Sequence, residues 1–247
     1  MLLTEDVNVT GLTVAAGRLQ AQPYGGLARL AGGGLNGGMR ALVIAHGEPP
    51  SAGLLQELAA AADLVVAADG GALVALDAGI TPDAVVGDLD TMDQFPEAPV
   101  PRERFVRDPD PMTTDLEKAV RFALKRGAER VDVAAAGGGR GDHALANLSV
   151  LAVFRDHEVV LHDDLFEVWL VRGRTEVRGE PGTVVSLIAP GGCQGVTTRG
   201  LRWELQDADL PFSPRGVHNE LVGERAEVEV RDGVLLVFRG RWVERHR

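Results

Sequence analysis

Leu64-Val65-Val66-Ala67-Ala68-Asp69-Gly70-Gly71 is the stretch on which the fold turns: five apolar residues, enough for one buried strand, run straight into an aspartate and two glycines. The same grammar returns in Ala84-Val85-Val86-Gly87-Asp88-Leu89-Asp90. It returns again in Val131-Asp132-Val133-Ala134-Ala135-Ala136, which leads into Gly137-Gly138-Gly139-Arg140-Gly141-Asp142-His143. A short apolar strand ending in a polar, glycine-rich corner is how a βα unit is written, and repeated βα units build a mostly parallel sheet. In such a sheet ligands bind outside the carboxyl ends of the strands, so the three polar corners are expected along one edge.

Working outward, strands are expected at 41–45, 64–68, 84–87, 104–106, 131–136 and 158–162, with helices at 51–62, 71–79, 115–126 and 142–155. The helix at 115 has the clearest start, since Thr114 can cap it and Glu117 can reach back as its capping-box partner. Beyond about residue 164 the texture changes to short β-rich pieces between Gly and Pro turns (FEVWLV, TEVR, TVVSLIA, AEVEV, VLLVFR). The pattern predicts an N-terminal, mostly parallel, Rossmann-like α/β domain over 39–163, followed by a C-terminal all-β sandwich domain over 164–247. Residues 1–38 are Gly-rich and weakly patterned and stop just before Met39. They read either as sequence upstream of a start at Met39 or as an appended hairpin or arm.

The 247 residues, 45% of them apolar, can bury a substantial core. A net charge of −11 argues against nonspecific nucleic-acid binding, which depends on Lys and Arg at phosphates. No apolar run is long enough to span a membrane, and the single Cys193 offers neither a disulfide nor a cysteine zinc site. The expected setting is the cytoplasm. Lys118 and Lys125 are the only lysines among 25 basic residues, a bias that reads as that of a GC-rich genome.

The chemistry lies in the carboxylates. An aspartate between strand and helix is often only a cap or a turn former, but Asp88 and Asp90 stand two apart. On an extended backbone they would project to one side, and like charges that close call for a cation. Mg2+ suits such oxygen ligands and typically joins one or two carboxylates to substrate phosphates. Asp115, in the first turn of its helix, can join them. The glycines from Gly137 to Gly141 let backbone N–H groups approach phosphate, and Arg140 can grip it bidentately. The loop has neither the Lys-Ser/Thr ending of a P-loop nor the spacing of a dinucleotide fingerprint. The serines form no nucleophile elbow and the six histidines no paired metal-ligand spacing; His143 reads equally as a phosphate contact or a helix-start hydrogen bond, and His46 has no assigned role.

With these residues in place the chain resembles thiamine pyrophosphokinases. The matching blocks are ADGG (68–71), Leu-Asp-Ala-Gly-Ile-Thr-Pro (76–82), GDLD (87–90), TDLEKA (114–119) and GGRGDH (138–143), with VVSLIAP (184–190), GLRWEL (200–205) and HNE (218–220) further on. The resemblance covers roughly residues 39–240. It implies a nucleotide-binding domain, a β-sandwich that binds thiamine, and a homodimer with active sites at the subunit interface. It further implies Mg2+-dependent transfer of a pyrophosphoryl group from ATP to the thiamine hydroxyl, with release of AMP.

By the same resemblance Asp88, Asp90 and Asp115 hold the metal, and Arg140 and Asp142 address the phosphates and their metal shell. Asp69, Gly70, Gly71, Thr114, Gly138, Gly139 and His143 lie on the nucleotide side, and Trp203, His218 and Asn219 near thiamine. The chain departs from the family at Pro111 and Met112, where a polar and an acidic residue are common, and at His218, where a serine is. Those departures keep open a related pyrophosphokinase for a pterin-type hydroxymethyl substrate; a non-catalytic nucleotide-binding module is the remaining alternative.

Overall fold

The structure, a computed structural model, describes residues 38–244. The segment 1–37 and the two readings of it lie outside the described residues. Six strands and four helices follow the expected alternation. They are β1 (Arg40–Ile44), α1 (Ala52–Ala60), β2 (Leu64–Ala68), α2 (Gly71–Asp77), β3 (Ala84–Gly87), β4 (Phe105–Arg107), α3 (Asp115–Lys125), β5 (Arg130–Ala134), α4 (Gly141–Val153) and β6 (Glu158–His162). These six strands are parallel, in the order β6-β5-β1-β2-β3-β4. The chain steps from β1 outward to β4, then returns through α3 to β5 on the other side of β1. The strand order therefore reverses between β1 and β5, where an open α/β sheet forms its crevice.

Alternation along each strand feeds two layers. Ala41 and Val43 pack with Val131, Val133 and the α3 stripe Leu116, Ala119, Val120 and Ala123. Leu42 and Ile44 turn the other way, onto Leu55 and Leu58 of α1 and Ala75 of α2. The α3 stripe recurs every three or four residues, as one buried face of a helix must.

Nine strands follow: β7 (Phe166–Leu170), β8 (Arg174–Arg178), β9 (Thr183–Ile188), β10 (Cys193–Arg199), β11 (Ala208–Leu210), β12 (Asn219–Glu220), β13 (Arg225–Glu229), β14 (Asp232–Gly233) and β15 (Leu236–Val243). Four of them continue the first sheet. β7 pairs antiparallel with β6, and β15, β9 and β12 follow, giving one ten-stranded sheet in the order β12-β9-β15-β7-β6-β5-β1-β2-β3-β4. The second sheet, β11-β10-β13-β8 with β14 beside β10, packs on that antiparallel half. Val185, Leu187 and Val237 of one sheet meet Val177, Val196 and Val228 of the other in a common core. The C-terminal β-sandwich is thus built on an extension of the parallel sheet. β10 is not announced by the sequence, because Gly195 takes a left-handed φ of 67° and shifts the register between Cys193 and Val196. Such a bulge breaks the alternation by which a strand is read.

A buried charged network crosses the seam between the two halves. Asp132 on β5 is 1% exposed and accepts from Arg130 Nη2 at 2.9 Å and His162 Nε2 at 2.7 Å, and it pairs with Arg40. Arg241 of β15 approaches His162 Nδ1 through Nη2 at 2.9 Å. Arginine only donates, so Nδ1 accepts and Nε2 carries the proton given to Asp132. Burial alone would raise the Asp132 carboxyl, but the His162 hydrogen bond, with His162 and Arg130 close by, holds it well below the usual carboxylate range.

Candidate active site

Three aspartates from three elements meet at the carboxyl edge. Asp69 follows β2, Asp88 follows β3 and Asp115 opens α3, and one carboxylate oxygen from each lies within 4.8 Å of the others. Asp69 is buried and sits at a left-handed φ of 41°. Its two oxygens accept the backbone N–H groups of Thr91 at 3.1 Å and Met92 at 3.2 Å, which fixes its plane. Asp115 Oδ1 accepts the Asp88 N–H at 3.2 Å and Lys118 Nζ at 3.0 Å. Gly87 permits the approach, since a Cβ there would lie 2.9 Å from the Asp115 carboxyl carbon and 3.0 Å from Asp69 Cβ.

Asp90 does not join this group. Leu89 has a φ of 65° and is buried, so the segment is a left-handed corner that sinks Leu89 into the core. The expected extended backbone, with Asp88 and Asp90 facing one point, is not formed. Asp90 is exposed; its N–H donates to Asp88 Oδ1 at 3.1 Å and its carboxylate accepts from Thr91 Oγ1 at 3.2 Å. Among the described residues the third carboxylate of the cluster is Asp69.

Lys118 is the residue the sequence reading passed over. Its side chain is 2% exposed and lies one helical turn from Asp115. The available signal was its type: in a chain that writes nearly every cation as Arg, a Lys places a compact point charge where a guanidinium fork would not fit. Three carboxylates and one ammonium leave a formal charge of −2. Like charges about 5 Å apart repel by about 3 kcal/mol per pair at an effective dielectric near 20, so the cluster asks for a further cation. The donors are all oxygen, which fits Mg2+ or a similar hard ion.

Thr114 caps α3, its Oγ1 accepting the Glu117 N–H at 3.2 Å, while the Glu117 carboxylate turns to Arg121 instead of reaching back. Gly70 and Gly71 bring the start of α2 against the end of β1, where Cβ atoms would lie 2.2 Å from His46 Nδ1 and 2.1 Å from the Ile44 carbonyl oxygen. Gly138 and Gly139 both have positive φ, in a loop strapped to the one after β1 by Gly47 N–H to Ala135 at 2.7 Å and Glu48 N–H to Gly137 at 2.8 Å. The strapped loops lie at the β1/β5 reversal.

Arg140 and Asp142 form an exposed bidentate pair, Nη2–Oδ2 2.7 Å and Nε–Oδ1 3.2 Å. The hydrogen bond from Arg140 pulls Asp142 down to about 2. His143 beside them is exposed. No described hydrogen bond or ion pair joins these three residues to the carboxylate cluster.

Trp203, His218 and Asn219 gather elsewhere, at the β12 end of the molecule. Trp203 is 54% exposed, and Asn219 is buried. Asn219 Nδ2 donates to the Trp203 carbonyl at 2.7 Å and its Oδ1 accepts the Trp203 N–H at 3.1 Å. His218 has a φ of 63° and donates its N–H to Ser186 Oγ at 2.9 Å.

Fold and site together define a doubly wound α/β protein with an acidic cluster at the carboxyl edge of its sheet and an antiparallel sandwich built onto one flank. Two family models match the chain: "Thiamin pyrophosphokinase, catalytic domain" over residues 55–161 and "Thiamin pyrophosphokinase, vitamin B1 binding domain" over residues 174–235. The chain belongs to the thiamin pyrophosphokinase family. It is 28% identical over 169 residues to thiamine pyrophosphokinase 3 of Oryza sativa subsp. japonica, covering 60% of this chain and 61% of that one. It is 29% identical over 138 residues to thiamine pyrophosphokinase 2 of Arabidopsis thaliana, covering 50% and 51%. The match thus spans less than two thirds of these curated relatives. The thiamine pyrophosphokinase structure from Bacillus subtilis shares the fold with a TM-score of 0.69 at 23% identity, over 81% of this chain and 98% of that one. The family protein from Enterococcus faecalis does so with a TM-score of 0.69 at 24% identity, over 82% and 99%.

Proposed function

We propose that this chain transfers a pyrophosphoryl group from ATP to the hydroxyl of thiamine, giving thiamine diphosphate and AMP, with Mg2+ as its metal. The observation that carries the reading is the cluster of Asp69, Asp88 and Asp115, an all-oxygen cation site at the edge where a parallel sheet binds phosphates, in a chain of this family. Asp88 and Asp115 would hold it, beside Asp69, whose oxygens are fixed by the Thr91 and Met92 N–H groups; Asp90, expected as a third ligand, lies one residue beyond the Leu89 corner and outside the cluster. The metal, when bound, neutralises phosphate charge and orients the β-phosphorus toward the attacking oxygen. Lys118 keeps Asp115 aimed into the site, and a carboxylate, Asp115 or Asp90, would accept a hydrogen bond from the attacking hydroxyl. Arg140, released from Asp142 or together with it, grips the phosphates beside the Gly138–Gly139 loop, with Gly70, Gly71, Thr114 and His143 lining the nucleotide side.

Residues 39–163 are then the nucleotide-binding part and 164–247 the thiamine-binding part, with Trp203 as the aromatic wall beside His218. In the ten-stranded order β12 is first and β3 ninth. Eight steps of about 4.8 Å put them roughly 38 Å apart along the sheet, less whatever the twist takes back. A single small substrate cannot touch both ends, which favours a homodimer whose sites pair the carboxylates of one protomer with the Trp203 region of its partner. We place the enzyme in the cytoplasm, acting on free ATP and thiamine, with neither nucleic acid nor membrane as a partner. No helix among the described residues is long and apolar enough to cross a membrane.

The test is chemical. Purified protein with Mg2+, ATP and thiamine should form AMP and thiamine diphosphate in equal amounts, followed by ion-pair chromatography. AMP release only with a pterin alcohol in a parallel panel would move the substrate, and no AMP with any acceptor would reduce the chain to a binding module.

A further inference from the structure

Trp203 presents an unusual combination: a large aromatic side chain, 54% exposed, whose backbone is held from behind on both its donor and its acceptor by one side chain. The local ladder shows how this arises. Residues 200–202 run antiparallel to 220–222, with Val222 N–H to Gly200 at 3.0 Å, an isolated bridge between Leu201 and Leu221, and Arg202 N–H to Glu220 at 2.9 Å. At Trp203 the backbone pairing stops. Its N–H and C=O are taken by Asn219, whose side-chain amide offers the same donor and acceptor as a peptide group.

Asn219 is 7% exposed, and its Oδ1 also accepts the Glu220 N–H at 2.9 Å, so both oxygen acceptor sites and one of the two Nδ2 hydrogens are in use. It is anchored in turn: the segment before it lies along β9 through Leu187 N–H to Gly216 at 2.8 Å and His218 N–H to Ser186 Oγ at 2.9 Å. The left-handed φ of His218 provides the corner that delivers the amide inward.

We infer that Asn219 is a positioning residue: it touches no substrate, and its buried amide fixes the Trp203 backbone so that the indole stands as a rigid platform for a flat heteroaromatic ring. This rests on the reading of Trp203 as part of the acceptor pocket. With both oxygen acceptor sites and one of its two amide hydrogens spent on backbone at a position 7% exposed, the amide acts on binding through Trp203. Immobilising the platform beforehand spares the ordering that binding would otherwise require.

The experiment uses the full chain in two formats. In steady-state assays Asn219→Ala should raise KM for thiamine about tenfold, leaving KM for ATP and kcat within about threefold; Asn219→Asp keeps the acceptor half and should fall between. A background carrying Trp169→Phe and Trp242→Phe leaves Trp203 as the sole indole, and there Asn219→Ala should lower fluorescence anisotropy and raise acrylamide quenching. Should Asn219→Ala fail to fold, Asn219→Asp supplies both readings. Equal rises in the two KM values, or unchanged anisotropy and quenching, overturn the inference. Trp203→Ala separates the two levels. If it raises KM for thiamine while Asn219→Ala does not, the inference fails and the pocket stands. If neither Trp203→Ala nor Asn219→Ala moves that KM, the pocket assignment itself fails, and the fluorescence alone still decides whether Asn219 fixes the indole.

Discussion

At the scale of single residues the site depends on what is absent as much as on what is charged. Gly87 has an ordinary backbone; a side chain there would collide with Asp115 and Asp69. Gly87→Ala should destabilise the fold by about 1–3 kcal/mol, as overpacking does, and weaken Mg2+ binding by splaying the aspartates. Urea denaturation and isothermal titration with Mg2+ check the two halves of this expectation, and a variant that titrates like wild type would contradict it. Lys118 is the only side-chain cation bonded to a carboxylate of the cluster among the described residues. Lys118→Met preserves its length and apolar stem, so its melting temperature should fall more in metal-free buffer than in millimolar Mg2+, where the bound ion supplies the missing charge. Equal losses in the two buffers would show that the ammonium serves packing alone.

Among the elements, what was legible in the sequence was what local periodicity records. All six parallel strands and four helices lie within a few residues of their expected places, because each couples an apolar run to a glycine, an aspartate or a capping threonine. The register at Asp88-Leu89-Asp90 was misjudged because a buried Leu at positive φ leaves no mark in composition. Asp69 entered the expectation through the family likeness, while its place beside Asp88 and Asp115 depends on β2 and β3 being neighbours, a tertiary fact. β10 escaped through its bulge. The seam network was invisible for the same reason as the cluster: Arg40, Asp132, His162 and Arg241 are far apart in the chain.

The seam also yields an expectation. Removing Asp132 takes away the buried acceptor shared by Arg40, Arg130 and His162, so Asp132→Ala should cost about 3–5 kcal/mol. Its carboxyl is depressed in the folded state, so its contribution is complete above the ordinary carboxylate pKa and is lost as pH falls below that value toward the folded one. Wild type should therefore lose stability steeply below about pH 4, and Asp132→Ala, already lacking the charge, should show a shallower slope there. Parallel slopes would place the acid sensitivity elsewhere.

On the scale of the whole molecule the length of the sheet governs. With the carboxylates near one end and Trp203 near the other, the proposed site draws on two chains. At thiamine concentrations near the wild-type KM, Asp88→Asn should be nearly inactive as a pure protein, and Trp203→Ala, with its raised KM for thiamine, strongly impaired. Mixed, unfolded and refolded together in equal amounts, they should recover about a quarter of wild-type activity, because half the dimers are hybrids and each hybrid carries one intact site. No recovery from well-folded hybrids would place the site within a single chain.

The position of β15 has a consequence for how the chain is made. Residues 236–243 lie between β7 and β9, so a strand made well after both of its neighbours is the middle plank of the antiparallel half. During synthesis the parallel half can close early with β6 at its margin, while β7 and β9 wait with unsatisfied edges until residues 236–243 have emerged. Exposed edges of that kind are where neighbouring nascent chains pair wrongly. The vulnerable interval in this protein's life is thus the short time between the emergence of β9 and the arrival of β15, and a chaperone or a slow translational pause would act most strongly there.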